Sequence, residues 1–201
     1  MTYFPREMIL ILYSPLPVHE QTTSEMSFII AQALHGIPCD RSLLKAGVSN
    51  NSWVYSSEIY TIPDMQVTIK PITAEAAETQ VLWLVESAFS QTRPAVFKKM
   101  EEVITSHNEI ELALIIMINE RTKYVSPTEN SAAWDQARSE RSLRSYSEFA
   151  PLRTPDKLFG PVEMMGHTWI DISSVKYSVW LKPAGAQRID IAADPTASGV
   201  S

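Results

Sequence analysis

The 201-residue chain has one cysteine, Cys39, so no intramolecular disulfide can staple it. That usage fits a reducing, intracellular compartment, cytoplasmic or nuclear. No histidine stands at a suggestive spacing from Cys39, and an incidental or buried thiol explains it better than a nucleophile. His19, His35, His107 and His167 show no metal-ligand spacing, so zinc lacks support. The six glycines are not gathered into a phosphate-cradling loop, and no Gly-x-Ser-x-Gly elbow occurs. NTPase and α/β-hydrolase chemistry therefore lack their main signals. Long apolar runs are also missing. The stretch MILILY, followed by SPLP, is too short for a signal-peptide core or a membrane span and is expected to be a buried strand or N-terminal clamp.

Positive charge is in deficit. Lysine and arginine number 17 against 23 acidic residues, for a net charge of −6 and a pI near 5.2. A general electrostatic grip on nucleic acid is therefore not evident, which counts against a DNA-wrapping protein but not against one local basic groove beside an acidic site. What the chain does have is 45% hydrophobic residues with five tryptophans and seven tyrosines, enough for a packed core in one decorated domain. Thirteen prolines against six glycines predict stiff loops.

The order of elements follows from periodicity. TTSEMSFIIAQALHG predicts a helix capped by Thr23 or Ser24, with Met26, Ile30, Ala33 and Leu34 at helical spacing and Gly36 as its stop. KAGVSNNS has loop composition. A strand is expected from about Trp53 to Tyr60, and MQVTIKPI has the alternation of a half-buried strand. VLWLVESAF is apolar except for Glu86, as in a central strand covered on both faces. QTRPAVFKKMEEVITSHNE predicts a helix with Thr92 as cap, Pro94 in the first turn and an inner stripe of Val96, Met100 and Val103. IELALIIMINE is a further buried strand. Helix, three strands, helix, strand makes an α/β protein with a mixed central sheet flanked by helices. Residues 1–18 would be an extension and 19–191 one domain. A helix from Ala132 to Phe149, one or two returning strands in HTWIDISSVKYSVWLKP, and a disordered tail at 192–201 complete the expectation.

Asp64 opens one strand and Glu86 lies inside the next. A lone buried carboxylate is unfavourable unless it is paired or holds a metal, so Glu86 needs a partner. Two carboxylates converging from neighbouring strands can hold a hard divalent cation, Mg²⁺ or Mn²⁺, which polarises a phosphodiester and activates a water. A nearby lysine can then orient the water or stabilise developing charge.

With Pro63-Asp64 entering one strand, Glu86 in the next, and helices before and after, residues 19 to 120 resemble the PD-(D/E)XK nuclease superfamily, with its restriction-endonuclease-like αβββαβ core. The stretch from Glu86 through Phe89-Ser90-Gln91 into a helix is similar to that of uncharacterised fungal members. The resemblance implies phosphodiester hydrolysis of DNA or RNA. Asp64 and Glu86 would be metal ligands, with Glu25, ahead of Glu20, as a further metal-side acid on the first helix. The family's glutamate-x-lysine pattern meets Ala88 here, so Lys99, or alternatively Lys98, would supply the amine from the following helix, and Gln91 could take the water-orienting place.

Each residue also has a plainer role. Asp64 can close a turn after Pro63, and Glu86 can pair with a distant Lys or Arg. Lys98 and Lys99 can decorate an outer helix face beside Glu101 and Glu102, and Glu25 can serve the helix dipole. Arg138, Arg141 and Arg144 would form a basic stripe able to meet phosphates, or a solvated face interleaved with Asp135 and Glu140. The rival to a hydrolase is an inactive nuclease-like scaffold that binds a protein or a nucleic acid. Oligomeric state is not encoded legibly.

Overall fold

The computed structural model describes residues 2–4, 8–11, 17–55, 60–72, 79–89, 91–139 and 161–201. In chain order the strands and helices are β1 (Thr2–Phe4), β2 (Ile9–Ile11), α1 (Pro17–Gly36), β3 (Leu44–Asn50), β4 (Val54–Tyr55) and β5 (Tyr60–Thr61). They continue with β6 (Met65–Pro71), β7 (Gln80–Phe89), α2 (Arg93–Ser106), β8 (Leu112–Glu120) and α3 (Ala132–Ser139). The last four are β9 (Val162–Met164), β10 (His167–Ile170), β11 (Ile172–Leu181) and β12 (Ala197–Val200). Contacts divide the chain into two units, residues 1–117 with 176–201, and residues 118–175.

The central sheet has six strands in the order β12-β11-β8-β7-β6-β3. β3 with β6, β6 with β7, and β11 with β12 pair antiparallel. The main-chain N–H of Glu111, just before β8, donates to the Leu82 carbonyl near the start of β7. The two strands therefore run the same way, with α2 as the crossover that a parallel pair requires. The sheet is mixed, as expected. The strands β2-β1-β5-β4, in that order, form a separate small sheet, and β9 with β10 form a hairpin of their own.

In the first unit, α2 begins at the predicted place, with extended Thr92 as N-cap and proline in the first turn. Val96, Met100 and Val103 are all buried, and they pack with Leu84 and Ala88 of β7 and Ala113 and Ile115 of β8. Trp180 of β11 closes the cluster, its ring edge against Phe97 with 5.7 Å between centroids.

Four expectations need correction. KAGVSN is not loop: residues Leu44 to Asn50 form β3 and pair along the whole of β6. Of the strand expected from Trp53 to Tyr60, the described residues show the two-residue strands β4 and β5, which pair with each other outside the central sheet, and residues 56–59 lie outside the described residues. The first helix starts at Pro17, leaving Thr23 inside it rather than at its cap. The tail is not disordered throughout, because Ala197 to Val200 pair with Lys176 to Val179 as β12. Of the helix expected to reach Phe149, Ala132–Ser139 is present and the remainder lies outside the described residues.

Candidate active site

The site is built where β6 begins and β7 ends. Met65 pairs with Val85, so one step further the register brings Asp64 beside Glu86. The Ser87 main-chain N–H donates to Asp64 Oδ2 at 2.6 Å, a buried charge-assisted bond that fixes the aspartate. The Asp64 carbonyl accepts from Asn51 N–H just beyond β3. Asp64 is thus held on both sides by backbone.

Helical spacing brings in the third residue. Lys99 falls in the stripe of Val96, Met100 and Val103 and turns inward, whereas its neighbour Lys98 is exposed. Lys99 is 3% exposed and Glu86 1%. The Lys99 ammonium lies 2.5 Å from Glu86 Oε1 and donates to the Ile62 carbonyl at 3.1 Å. Ile62 immediately precedes Pro63-Asp64, so one amine ties the glutamate of β7 to the segment that delivers the aspartate. The buried carboxylate that demanded a partner has Lys99. Its burial alone consequently no longer requires a cation.

The other expected residues are placed less centrally. Gln91, between β7 and α2, is half-buried, and its amide oxygen has no hydrogen-bond partner among the described residues. Glu25 is exposed and accepts from the Gln21 amide at 2.8 Å. Inward on the same helix stands Thr23, while the Ser27 hydroxyl meets Asn50 at the end of β3. Glu20 lies in α1 and Arg138 in α3, whereas Arg141 and Arg144 fall outside the described residues. Ala88 is fully buried in the core under α2. The Ser87 N–H and the Ile62 carbonyl are the participants that sequence reasoning missed, and as backbone groups they leave no residue-type signal.

Among the described residues, no three His, Cys, Asp or Glu side chains group as a metal cage would. Magnesium is nevertheless commonly bound through one or two carboxylates with waters and substrate oxygens completing its shell. Asp64 and Glu86, adjacent in register at the strand ends, fit that sparse donor set. No helix among the described residues is long and apolar enough to cross a membrane.

Comparison with protein-family models gives no match, and comparison with curated proteins gives none. Among solved structures, the chain is similar to a DUF820 protein from Anabaena variabilis described as a candidate nuclease, at 16% identity and a TM-score of 0.44. The overlap covers 58% of this chain and 65% of that one, so the chain spans less than two thirds of that protein's length. At that similarity no residue role carries over, and the expected likeness to fungal proteins has no counterpart in these comparisons.

Proposed function

We propose that the protein is a metal-dependent phosphodiester hydrolase of the PD-(D/E)XK type, acting on DNA or RNA. The observation that carries this reading is the buried Lys99 amine, bonded to Glu86 and to the carbonyl just before Pro63-Asp64. It brings a lysine from the helix to the two carboxylates, although β7 itself offers Ala88. Asp64 and Glu86 would hold Mg²⁺ or Mn²⁺, which when bound would lower the pKa of a water and polarise the phosphate. Lys99 then orients the attacking water or stabilises charge on the phosphate, a role worth about 10²–10³ in rate for a well-placed donor. Gln91, half-buried with an uncommitted amide oxygen, can accept a hydrogen bond from that water and so help to orient it. Lys98, exposed on α2, and Glu25, exposed on α1, would assist only from the rim.

The test compares wild type with Asp64→Asn, which keeps an oxygen for the Ser87 N–H while removing the charge. Thermal melts with and without Mn²⁺ should show a rise in wild type, since ligand at a hundred times its dissociation constant stabilises by about 2.7 kcal/mol. Asp64→Asn should lose both that rise and any cleavage of oligonucleotides. A variant as active as wild type would sink the assignment. No Mn²⁺ effect in either protein would favour the inactive scaffold, the alternative suggested by Ala88.

A further inference from the structure

The β3–β6 ladder has two unlike faces. On one lie Ala46 with Ile69, Val48 with Val67 and Asn50 with Met65, the side on which the Ser27 hydroxyl of α1 meets Asn50. On the other the cross-strand pairs are Lys45 with Lys70, Gly47 with Thr68 and Ser49 with Gln66, and Asp64 follows on the same side. Because Gln66 pairs with Leu84, two residues before Glu86, this polar face also carries the Glu86 carboxylate.

Two features of this face call for a ligand. Lys45 and Lys70 stand directly opposite each other at the sheet edge, both exposed, and neither has an ion-pair partner among the described residues. Like charges in that relation are mutually destabilising, and an anion seated between them removes the repulsion. Nearer the acids, Gln66 is 6% exposed, yet its amide oxygen has no hydrogen-bond partner among the described residues. A buried polar group left in that state is uncommon and points to a missing donor. Along β3 and β6 this row is polar throughout, whereas on β7 the same face turns apolar at Leu84, which packs into the core with α2.

We infer that this face is a backbone track, on which the sugar-phosphate chain of a nucleic-acid strand lies as it reaches Asp64 and Glu86. The inference rests on the hydrolase reading of that site. Lys45 and Lys70 grip phosphates at the sheet edge, and Ser49 and Thr68 hydroxyls and the Gln66 amide offer uncharged hydrogen bonds further in. Lys70 lies six residues from Asp64 along an extended strand, about 20 Å, a length that several consecutive phosphates of one strand can follow. In a chain of net charge −6, this local exception places positive charge on the same sheet face as the acids.

The experiment measures binding of a labelled oligonucleotide to the full chain by fluorescence anisotropy, in EDTA to prevent cleavage, across a salt series. Lys45→Ser/Lys70→Ser removes two exposed charges without touching the core. Its slope of log affinity against log salt should fall by about 1.4 for a single strand or about 1.8 for a duplex. Between 50 and 200 mM salt, the affinity change should thus be about seven- to twelve-fold smaller than for wild type. Gly47→Asp is the converse probe. A Cβ at Gly47 meets only Thr68 Oγ1, at 3.8 Å, so a carboxylate can be seated in the row and should weaken binding at every salt concentration. If wild type binds and cleaves while these variants keep its slope and affinity, the track is wrong and the hydrolase stands. If wild type neither binds nor cleaves any oligonucleotide, both fail. Variants that lose binding to anionic phospholipid vesicles and not to oligonucleotides would overturn the track in favour of a membrane surface.

Discussion

One face of the central sheet meets lysines in two opposite circumstances. On the inner side of α2, Lys99 is sealed into the interior and bonded to Glu86 and to a main-chain carbonyl. At the β3 edge, Lys45 and Lys70 face water and each other, with no resident anion among the described residues. An ammonium in a dry interior must have its partner built in, because removing it from water is otherwise prohibitive. An exposed ammonium keeps its hydration and can await a transient partner. Burial therefore separates a cation whose partner the fold itself supplies from cations that await a partner from solution.

The largest expected effect strikes the committed lysine. Lys99→Met should lower unfolding free energy by about 3–5 kcal/mol in urea titration, because Glu86 remains buried without its cation. Glu86→Leu should do the same from the other side. The double variant should recover most of the loss, since a buried ion pair replaced by apolar side chains of similar size is often neutral. Coupling near zero in that double-mutant cycle would show that the two residues do not depend on each other, and the contrast drawn above would collapse.

The parts of this architecture that were legible in the sequence are those fixed by local pattern and burial. The stripe of Val96, Met100 and Val103 not only predicted α2 but includes position 99 and excludes 98. Glu86, the single charged residue in VLWLVESAF, was marked as a group that had to be satisfied, though not by which partner. β3 was obscured by its composition. Glycine, serine and asparagine suggest a turn, yet Leu44, Ala46 and Val48 alternate with Lys45, Gly47 and Ser49, and pairing with β6 decides the matter. β12 is a short run of Ala, Ser, Gly and Val with weak strand character, and its order comes from the β11 edge it joins. The backbone donors and acceptors around Asp64 and Lys99 were not legible, because every residue has them and only tertiary structure aims them.

At the edge, a smaller effect of opposite sign is expected. Lys45→Ser/Lys70→Ser should raise stability by about 0.2–1 kcal/mol at low ionic strength, the range for relieving a like-charge cross-strand pair. The gain should fade by 1 M salt, where the Debye length is about 3 Å. Urea titrations at both salt concentrations give the answer. A loss of stability instead would mean that the lysines are tied into the fold, making them more like Lys99 than the comparison allows.

The smallest effect concerns the turn that feeds β3. Asp40 accepts from the Ser42 hydroxyl at 2.6 Å and the Ser42 N–H at 2.9 Å, while its carbonyl accepts from Leu43 and Leu44. The Ser42 hydroxyl first, and the Ser42 N–H second, hold the Asp40 carboxyl below its ordinary pKa. A depressed carboxyl contributes stability that is present above its unfolded pKa and lost as pH falls through the folded one. This turn should therefore loosen only under acid conditions, on the low side of the ordinary carboxylate range. Ser42→Ala removes the larger cause, so the Asp40 titration followed by carboxyl NMR should move upward while global stability at neutral pH stays close to wild type. A carboxyl at a fully exposed turn can be tuned by two local hydrogen bonds with little consequence for the fold. At Glu86, loss of one partner leaves a charge that water cannot reach, and the same kind of substitution threatens the core.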